Sequence, residues 1–124
     1  MTLLHKEKSD LILKGFYNVY NALGFGFLEK VYENALFIEL TDLGLFCERQ
    51  KPIHVFYKEK PIGEYFADIM VDNCIILELK AVEHVVQEHE LQLINYLKAT
   101  EIELGFLLNF GKKPEFRRKI FTNK

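Results

Sequence analysis

The sequence predicts a mixed α/β (α+β) domain in which helices pack against one β-sheet. The first 44 residues and the stretch 84–99 carry apolar side chains at helical spacing. Residues 45–80 and 104–110 are instead rich in β-branched and aromatic residues, and Pro and Gly interrupt them. The order helix, helix, three strands, helix, strand describes a mixed sheet with flanking helices.

Glycines mark the ends of the two predicted N-terminal helices. The first helix covers about residues 3–23 and ends at Gly24, and the second covers about residues 28–43 and ends at Gly44. Glycine is common directly after a helix because it adopts the left-handed backbone conformation without strain.

The predicted strands cover residues 53–58, 63–71 and 75–80, as an antiparallel meander, and residues 104–110. A helix over residues 84–99 connects the third strand to the fourth. Such a crossover makes these two strands parallel, with a right-handed connection.

The composition favours a single domain over residues 1–124. A chain with 49% hydrophobic residues can bury a sizeable core, so it needs neither disulfides nor a structural metal to fold. Cys47 and Cys74 form no CxxC pair and are interpreted as free thiols. No apolar run reaches the roughly 18–20 residues that span a bilayer, and no signal-peptide core precedes the domain. We therefore expect a cytoplasmic protein without membrane contact.

Charge is distributed unevenly along the chain. Residues 1–110 carry 10 basic and 17 acidic side chains, whereas residues 111–124 carry six basic side chains and one acidic one. This basic tail is either a solvated end or a segment whose Arg117, Arg118 and Lys119 contact phosphate groups.

Two acidic residues lie inside apolar strands, where an unpartnered carboxylate is strongly disfavoured. Asp68 interrupts the run 66–71, and Glu78 interrupts the run 75–80. Alternation along the strand places Glu78 and Lys80 on one face. Two converging carboxylates suit a hard cation such as Mg²⁺, and a neighbouring lysine could hold a water or stabilise charge on a phosphodiester. The alternative is that Lys80 forms a buried ion pair with one of the acids.

The turn between the two acids decides whether their side chains meet. A two-residue turn would place Asp68 and Glu78 on opposite faces of the sheet, whereas a three-residue loop over residues 72–74 pairs them. The longer loop leaves only apolar residues on the other face, as a strand pair packed on the core requires. Asn73 also tolerates the left-handed conformation that such loops need. The sequence therefore predicts Asp68 opposite Glu78.

These residues resemble the motif of the PD-(D/E)XK nuclease superfamily, with Asp68 followed after nine residues by Glu78-Leu79-Lys80. The stretch Gly26-Phe27-Leu28-Glu29-Lys30-Val31-Tyr32 matches the GxxExxY signature of one small family within it, and Gln92-Leu93-Ile94-Asn95-Tyr96 resembles the QxxxY motif of the RecB-like branch. Ala67 stands where the superfamily's name has proline.

The resemblance implies a restriction-endonuclease-like core that hydrolyses phosphodiesters with Mg²⁺ or Mn²⁺ held at Asp68 and Glu78. Lys80 would orient the attacking water, and Glu29 would reach the metal from the second helix, directly or through water. Gln92 would act in the catalytic site beside Tyr96, which would orient the substrate.

Two functions remain open at this point. The first is a metal-dependent nuclease whose partner is nucleic acid, DNA being favoured over RNA. The second is an inactive nuclease fold that binds nucleic acid or a protein. A domain this small often needs a partner to enclose a duplex, and a homodimer is one way to supply it.

Overall fold

The computed structural model describes residues 4–122 as three helices and one five-stranded sheet. The elements in order are α1 (Lys6–Leu23), α2 (Glu29–Asp42), β1 (Cys47–Tyr57), β2 (Lys60–Val71), β3 (Ile75–Lys80), α3 (Gln87–Lys98), β4 (Leu104–Phe110) and β5 (Pro114–Ile120). Residue 3, where the predicted first helix begins, and residues 123–124, at the end of the basic tail, lie outside the described residues. Among the described helices, none has the length and apolar character to cross a membrane.

The two N-terminal helices end where the sequence predicts. Gly24 follows α1 with a φ of 69°, and its N–H donates to the carbonyl oxygen of Tyr20. Gly44 lies two residues beyond α2 with a φ of 91°. Both glycines have positive φ values, which residues with a Cβ rarely adopt.

The sheet has the strand order β1-β2-β3-β4-β5. Strands β3 and β4 are parallel, whereas the other neighbouring pairs are antiparallel. The predicted parallel crossover through α3 is therefore confirmed. Strands β1 and β2 both begin earlier than predicted, at Cys47 and Lys60. They form one long hairpin, and its outer half, over residues 54–66, carries many exposed residues.

The predicted order of elements lacks the strand that the structure shows at residues 114–120. These residues form β5, which pairs with β4 from Leu104↔Ile120 to Phe110↔Pro114. Most of β5 is only half-buried, and charged side chains are common on edge strands because they discourage further pairing. The high positive charge of residues 114–120 is therefore compatible with a strand at the edge of the sheet.

Each face of the sheet is covered by different helices. The cluster on the side of α1 and α2 includes Phe16, Leu36, Ile69, Leu77 and Phe106. The cluster on the side of α3 includes Ile53, Met70, Ile76, Leu93 and Leu107. The central strands are thus buried on both faces, which explains their nearly continuous apolar sequence.

We expect Gly105→Ala to destabilise the protein by about 1–3 kcal/mol, because it overpacks the contact between α3 and β4. A Cβ at residue 105 would lie 2.7 Å from Cδ1 of Leu93 and 3.2 Å from the carbonyl oxygen of Ile76. Urea denaturation measures the change. In the control Gly63→Ala the nearest atom lies 3.9 Å away, so the change should stay within about 0.5 kcal/mol. Equal effects of the two substitutions would contradict the close approach of α3.

Candidate functional site

The turn between β2 and β3 has the predicted length. Val71 pairs with Ile75 and Ile69 pairs with Leu77, so residues 72–74 form a three-residue loop. Asp72 and Asn73 both have positive φ values, of 49° and 55°, and the N–H of Cys74 donates to the carbonyl oxygen of Val71 over 2.9 Å. The ladder ends at Ile69↔Leu77, and its register, continued by one residue, places Asp68 opposite Glu78 as the sequence predicts.

At the two acids, hydrogen bonds from backbone N–H groups to side-chain carboxylates replace the regular backbone hydrogen bonds between β2 and β3. The backbone N–H of Asp68 donates to Oε2 of Glu78 over 2.9 Å. In return, the backbone N–H of Leu79 donates to Oδ2 of Asp68 over 2.8 Å. Each carboxylate therefore accepts a hydrogen bond from the opposite strand, and this reciprocal pair holds both acids at one point.

Asp68 also lies where the β1–β2 hairpin changes the face that it presents to the helices. Ala67 belongs to the cluster beneath α3, but Ile69, two residues later, belongs to the cluster beneath α1 and α2. In β1 the corresponding position is Gln50, between the pairs Arg49↔Ile69 and Lys51↔Ala67. Its φ of 53° is unusual for a residue inside a strand, and this indicates local strain.

Gln50 connects Asp68 to a carboxylate that sequence reasoning missed. Its Nε2 donates to Oε1 of Glu33 over 2.8 Å and to Oδ1 of Asp68 over 3.4 Å. Glu33 is only 4% exposed and also binds Nζ of Lys30 at 2.7 Å. A signal was present, because Glu33 precedes the buried Leu36 and Leu40 by three and seven residues and so lies on the buried stripe of α2.

Glu29, the predicted metal ligand on α2, is exposed at the first position of that helix. Its negative charge helps to raise the pKa of both Asp68 and Glu78. Within residues 4–122, however, no three His, Cys, Asp or Glu side chains come close enough to form a metal-binding group. The structure thus brings Asp68 and Glu78 together and leaves Glu29 outside their direct contact.

Burial controls the protonation of the two acids. It raises the pKa of Glu78 to about 8, and the nearby charge of Asp68 acts in the same direction. Burial likewise raises the pKa of Asp68. The positive charge of Lys80 lowers the pKa of Glu78, but in the described part of the chain Lys80 forms no ion pair with either acid. The ion-pair alternative for Lys80 therefore finds no support in the geometry.

The residues present fit a divalent cation. The buried carboxylate of Glu78 lies beside the half-buried carboxylate of Asp68, and their mutual repulsion opposes ionisation of both. One oxygen of each accepts a backbone hydrogen bond, which leaves the second oxygen of Glu78 without a donor among residues 4–122. Mg²⁺ accepts oxygen ligands and retains several waters, so two carboxylates can suffice from the protein.

Gln92 and Tyr96 form a pair on α3. Nε2 of Gln92 donates to the Tyr96 hydroxyl oxygen over 2.9 Å, and Tyr96 is only 5% exposed. Burial raises the pKa of Tyr96 to about 12, and the charge of Glu78 contributes to this shift. The QxxxY pair therefore lies on the same side of the sheet as the two acids.

Two further residues hold the loops beside the acids. The hydroxyl of Tyr32 donates to the carbonyl oxygen of Gly24 over 2.7 Å, and the ring stacks on Phe110 with 4.3 Å between centroids. The buried Asn109 side chain accepts from the N–H of Val82 and donates to its carbonyl oxygen. Tyr32 thus fixes the loop before α2, and Asn109 fixes the chain just after Lys80.

The three basic residues predicted to contact phosphate lie on both faces of β5. Arg117 and Lys119 pair with Leu107 and Gly105, on the side of α3, whereas Arg118 lies on the other side. Each has a partner within the protein. Arg117 binds Glu115 and Lys119 binds Glu90, while Arg118 donates to the carbonyl oxygen of Leu4. They therefore do not form one continuous basic patch.

Comparison with known proteins gives one family and one solved structure. The family model of the PD-(D/E)XK nuclease superfamily matches residues 6–119. The crystal structure of SSO0001 is similar to the chain with a TM-score of 0.54 and 16% sequence identity, and the match covers 94% of this chain and 68% of that one. At this identity the likeness concerns the fold alone. No curated protein matches the chain.

We expect Gln50→Gly to be more stable than Gln50→Ala by about 1 kcal/mol. Both variants lose the amide, but only glycine adopts the positive φ of this position without strain. Urea denaturation compares the two. At the neighbouring Lys51, the same pair of substitutions should give the opposite order, because glycine costs more backbone entropy in a strand. An alanine variant as stable as the glycine variant at residue 50 would exclude strain there.

We also expect the metal-free protein to lose stability as the pH rises from about 4 to about 8. Burial raises the pKa of Glu78 to about 8 in the folded chain, whereas an unfolded glutamate titrates near pH 4.3. The folded state therefore binds more protons over this interval, and stability falls as they leave. The raised pKa of Asp68 acts in the same direction. At about 1.4 kcal/mol per pKa unit, the loss amounts to a few kcal/mol.

Urea denaturation in the presence of a chelator, at several pH values across this interval, measures the effect. Glu78→Gln should flatten the profile because it removes the titrating group. The matched control is Glu101→Gln, which changes an exposed residue and should leave the profile as in the wild type. Parallel profiles for the wild type and Glu78→Gln would contradict the raised pKa.

Proposed function

Since the chain belongs to the PD-(D/E)XK nuclease superfamily, we propose that it is a metal-dependent nuclease that hydrolyses phosphodiester bonds of nucleic acid. One observation carries the proposal. Asp68 and Glu78 are held together across two strands by reciprocal hydrogen bonds, and Lys80 follows on the same face. Within the superfamily, the motif over residues 26–32 supports the GxxExxY family, and Gln92 with Tyr96 supports the RecB-like branch.

Asp68 and Glu78 would hold Mg²⁺ or Mn²⁺. When bound, the cation supplies positive charge for a phosphate oxygen and lowers the pKa of a coordinated water. Its charge also relieves the repulsion between the acids, so both can remain ionised at neutral pH. Glu29, which affects both pKa values without touching either acid, would act through water.

Lys80 supplies a positive charge that forms no ion pair within residues 4–122. Its ammonium group can donate a hydrogen bond to the attacking water or to an oxygen on which negative charge develops. Asn109 pairs with Lys80 in the parallel register and binds Val82, so the chain on both sides of the lysine is held in place. Such positioning matters because catalytic groups act over short distances.

Nucleic acid would approach from the α3 side of the sheet. Gln92 and Tyr96 lie on this side, and they would orient the substrate or the acids. Glu78 pairs with Leu107, and Leu107 pairs with Arg117, so Arg117 follows in the same row across the sheet. We assign phosphate contact to Arg117 and Lys119 before Arg118, which lies on the opposite face.

One observation favours a second function, an inactive fold that binds nucleic acid or a protein. Within residues 4–122 only two carboxylates meet, and no third metal-ligating side chain joins them. Scaffolds without complete catalytic machinery often act as binding modules. Metal binding and cleavage separate the two functions.

We expect the wild type to cleave a mixture of DNA and RNA substrates with Mg²⁺ or Mn²⁺ and not with a chelator. Glu78→Gln and Lys80→Gln should each lower the cleavage rate at least about 100-fold, because each removes charge at the reacting phosphate. Electrophoresis of labelled oligonucleotides measures the rates, and DNA and RNA of one sequence show which is preferred.

Calorimetry with Mn²⁺ gives a second readout. Glu78→Gln and Asp68→Asn should lose binding, whereas the exposed control Glu101→Gln should retain it. Nucleic-acid binding by the wild type without cleavage in either metal would reject the nuclease and support the binding module.

A further inference from the structure

A groove of about 970 Å³ lies between the outer half of the β1–β2 hairpin and α3. Five of its lining residues carry rings: His54, Phe56, Tyr65, His89 and Tyr96. His54 and Phe56 lie 6.4 Å apart between ring centroids on the hairpin, and Tyr65 lies 5.6 Å from Tyr96. The groove is therefore walled by flat, π-bearing side chains.

Several of these rings face solvent. Phe56 is 59% exposed and Tyr65 is 50% exposed. A contiguous set of exposed apolar side chains usually marks a binding surface. The groove also contains the side-chain amides of Gln92 and Asn95, which can both donate and accept hydrogen bonds. Rings together with amides form a surface suited to a flat ligand with polar edges.

The groove includes two residues of α3 that also belong to the candidate catalytic site. Gln92 and Tyr96 line it, and Tyr96 is close enough to Glu78 for the carboxylate charge to affect its hydroxyl. A strand whose phosphate lies at Asp68 and Glu78 would thus have its neighbouring nucleotides at the mouth of the groove.

We propose that this groove stacks unpaired nucleobases of a single-stranded nucleic acid whose cleaved phosphodiester lies at Asp68 and Glu78. The inference rests on the proposed nuclease function and names its substrate class. Every base has a π-face, so aromatic stacking binds single strands with little regard to sequence. In a duplex the bases are already paired and stacked, and they would have to leave the helix to enter the groove.

The lining favours a nucleic-acid strand over a protein or a second copy of this chain. Tyr96 lies both in this groove and close to Glu78, so a strand bound at the two acids can extend into the groove. Among the described residues that line it, Lys98 is cationic and Glu88 is acidic, and the imidazoles of His54 and His89 can donate hydrogen bonds. Glu64, which is outside the lining, contacts His54 over 3.4 Å. A strand can therefore bring its phosphates past the groove while its bases enter it.

The test is fluorescence anisotropy with a labelled DNA single strand and the matching duplex, in the presence of a chelator so that no cleavage occurs. The wild type should bind the single strand at least about tenfold more tightly than the duplex. Phe56→Ala should weaken single-strand binding about tenfold and leave duplex binding unchanged, and Phe56→Trp should restore it.

Tyr57→Ala is the matched control. Tyr57 is adjacent, aromatic and 63% exposed, but it does not line the groove. The Tyr57→Ala variant should bind both the single strand and the duplex as tightly as the wild type does. Equal affinity for single strand and duplex, or equal losses in Phe56→Ala and Tyr57→Ala, would overturn the inference. So would a wild-type dimer that Phe56→Ala converts to a monomer in sedimentation, because a second copy would then occupy the groove.

Cleavage assays separate this inference from the nuclease proposal. Phe56→Ala should raise the KM for a single strand about tenfold and leave kcat nearly unchanged, because Phe56 contacts only a base. If the wild type cleaves and Phe56→Ala cleaves single strands equally well, the groove assignment fails while the nuclease stands. If the wild type cleaves no substrate with either metal, the nuclease proposal itself fails.

Discussion

The reciprocal hydrogen bonds between β2 and β3 are the constraint on which the site depends. In a regular ladder the N–H of each strand would bind a carbonyl of its neighbour. Here the N–H groups of Asp68 and Leu79 bind carboxylate oxygens instead. This exchange satisfies backbone donors that would otherwise be buried and unpaired, and it draws two acids to one point. The same bonds therefore maintain the fold and assemble the chemistry.

This arrangement is electrostatically unfavourable without a cation, and backbone strain occurs at the same point. Burial and mutual repulsion raise the pKa of Glu78, while Gln50, which donates to Asp68, has a φ of 53°. Strained or uncompensated groups persist where the surrounding structure fixes them, and they concentrate at functional sites. Asp68 is thus affected by two unfavourable features, the repulsion between the two acids and the strained backbone of Gln50.

The register of the two acids could be predicted because it depends on local apolar alternation. Only a three-residue loop leaves Ile69, Val71, Ile75, Leu77 and Leu79 on one face. The contact of Gln50 with Glu33 could not be predicted in this way, because it joins residues far apart in sequence across a strained position that no periodicity signals. β5 escaped prediction for another reason, since an edge strand tolerates charge and lacks the apolar pattern of a central strand.

Helix α3 links core packing to both proposed activities. It approaches β4 at Gly105, where the absence of a Cβ admits Leu93. In the same helix, Gln92 and Tyr96 form one wall of the groove, and Tyr96 lies close to Glu78. Because a helix moves as a rigid unit, the depth at which Leu93 packs sets the distance of both functional residues from β3. A side chain at residue 105 would crowd Leu93, and a shift of α3 that relieves this contact would move Gln92 and Tyr96 together, although residue 105 contacts neither.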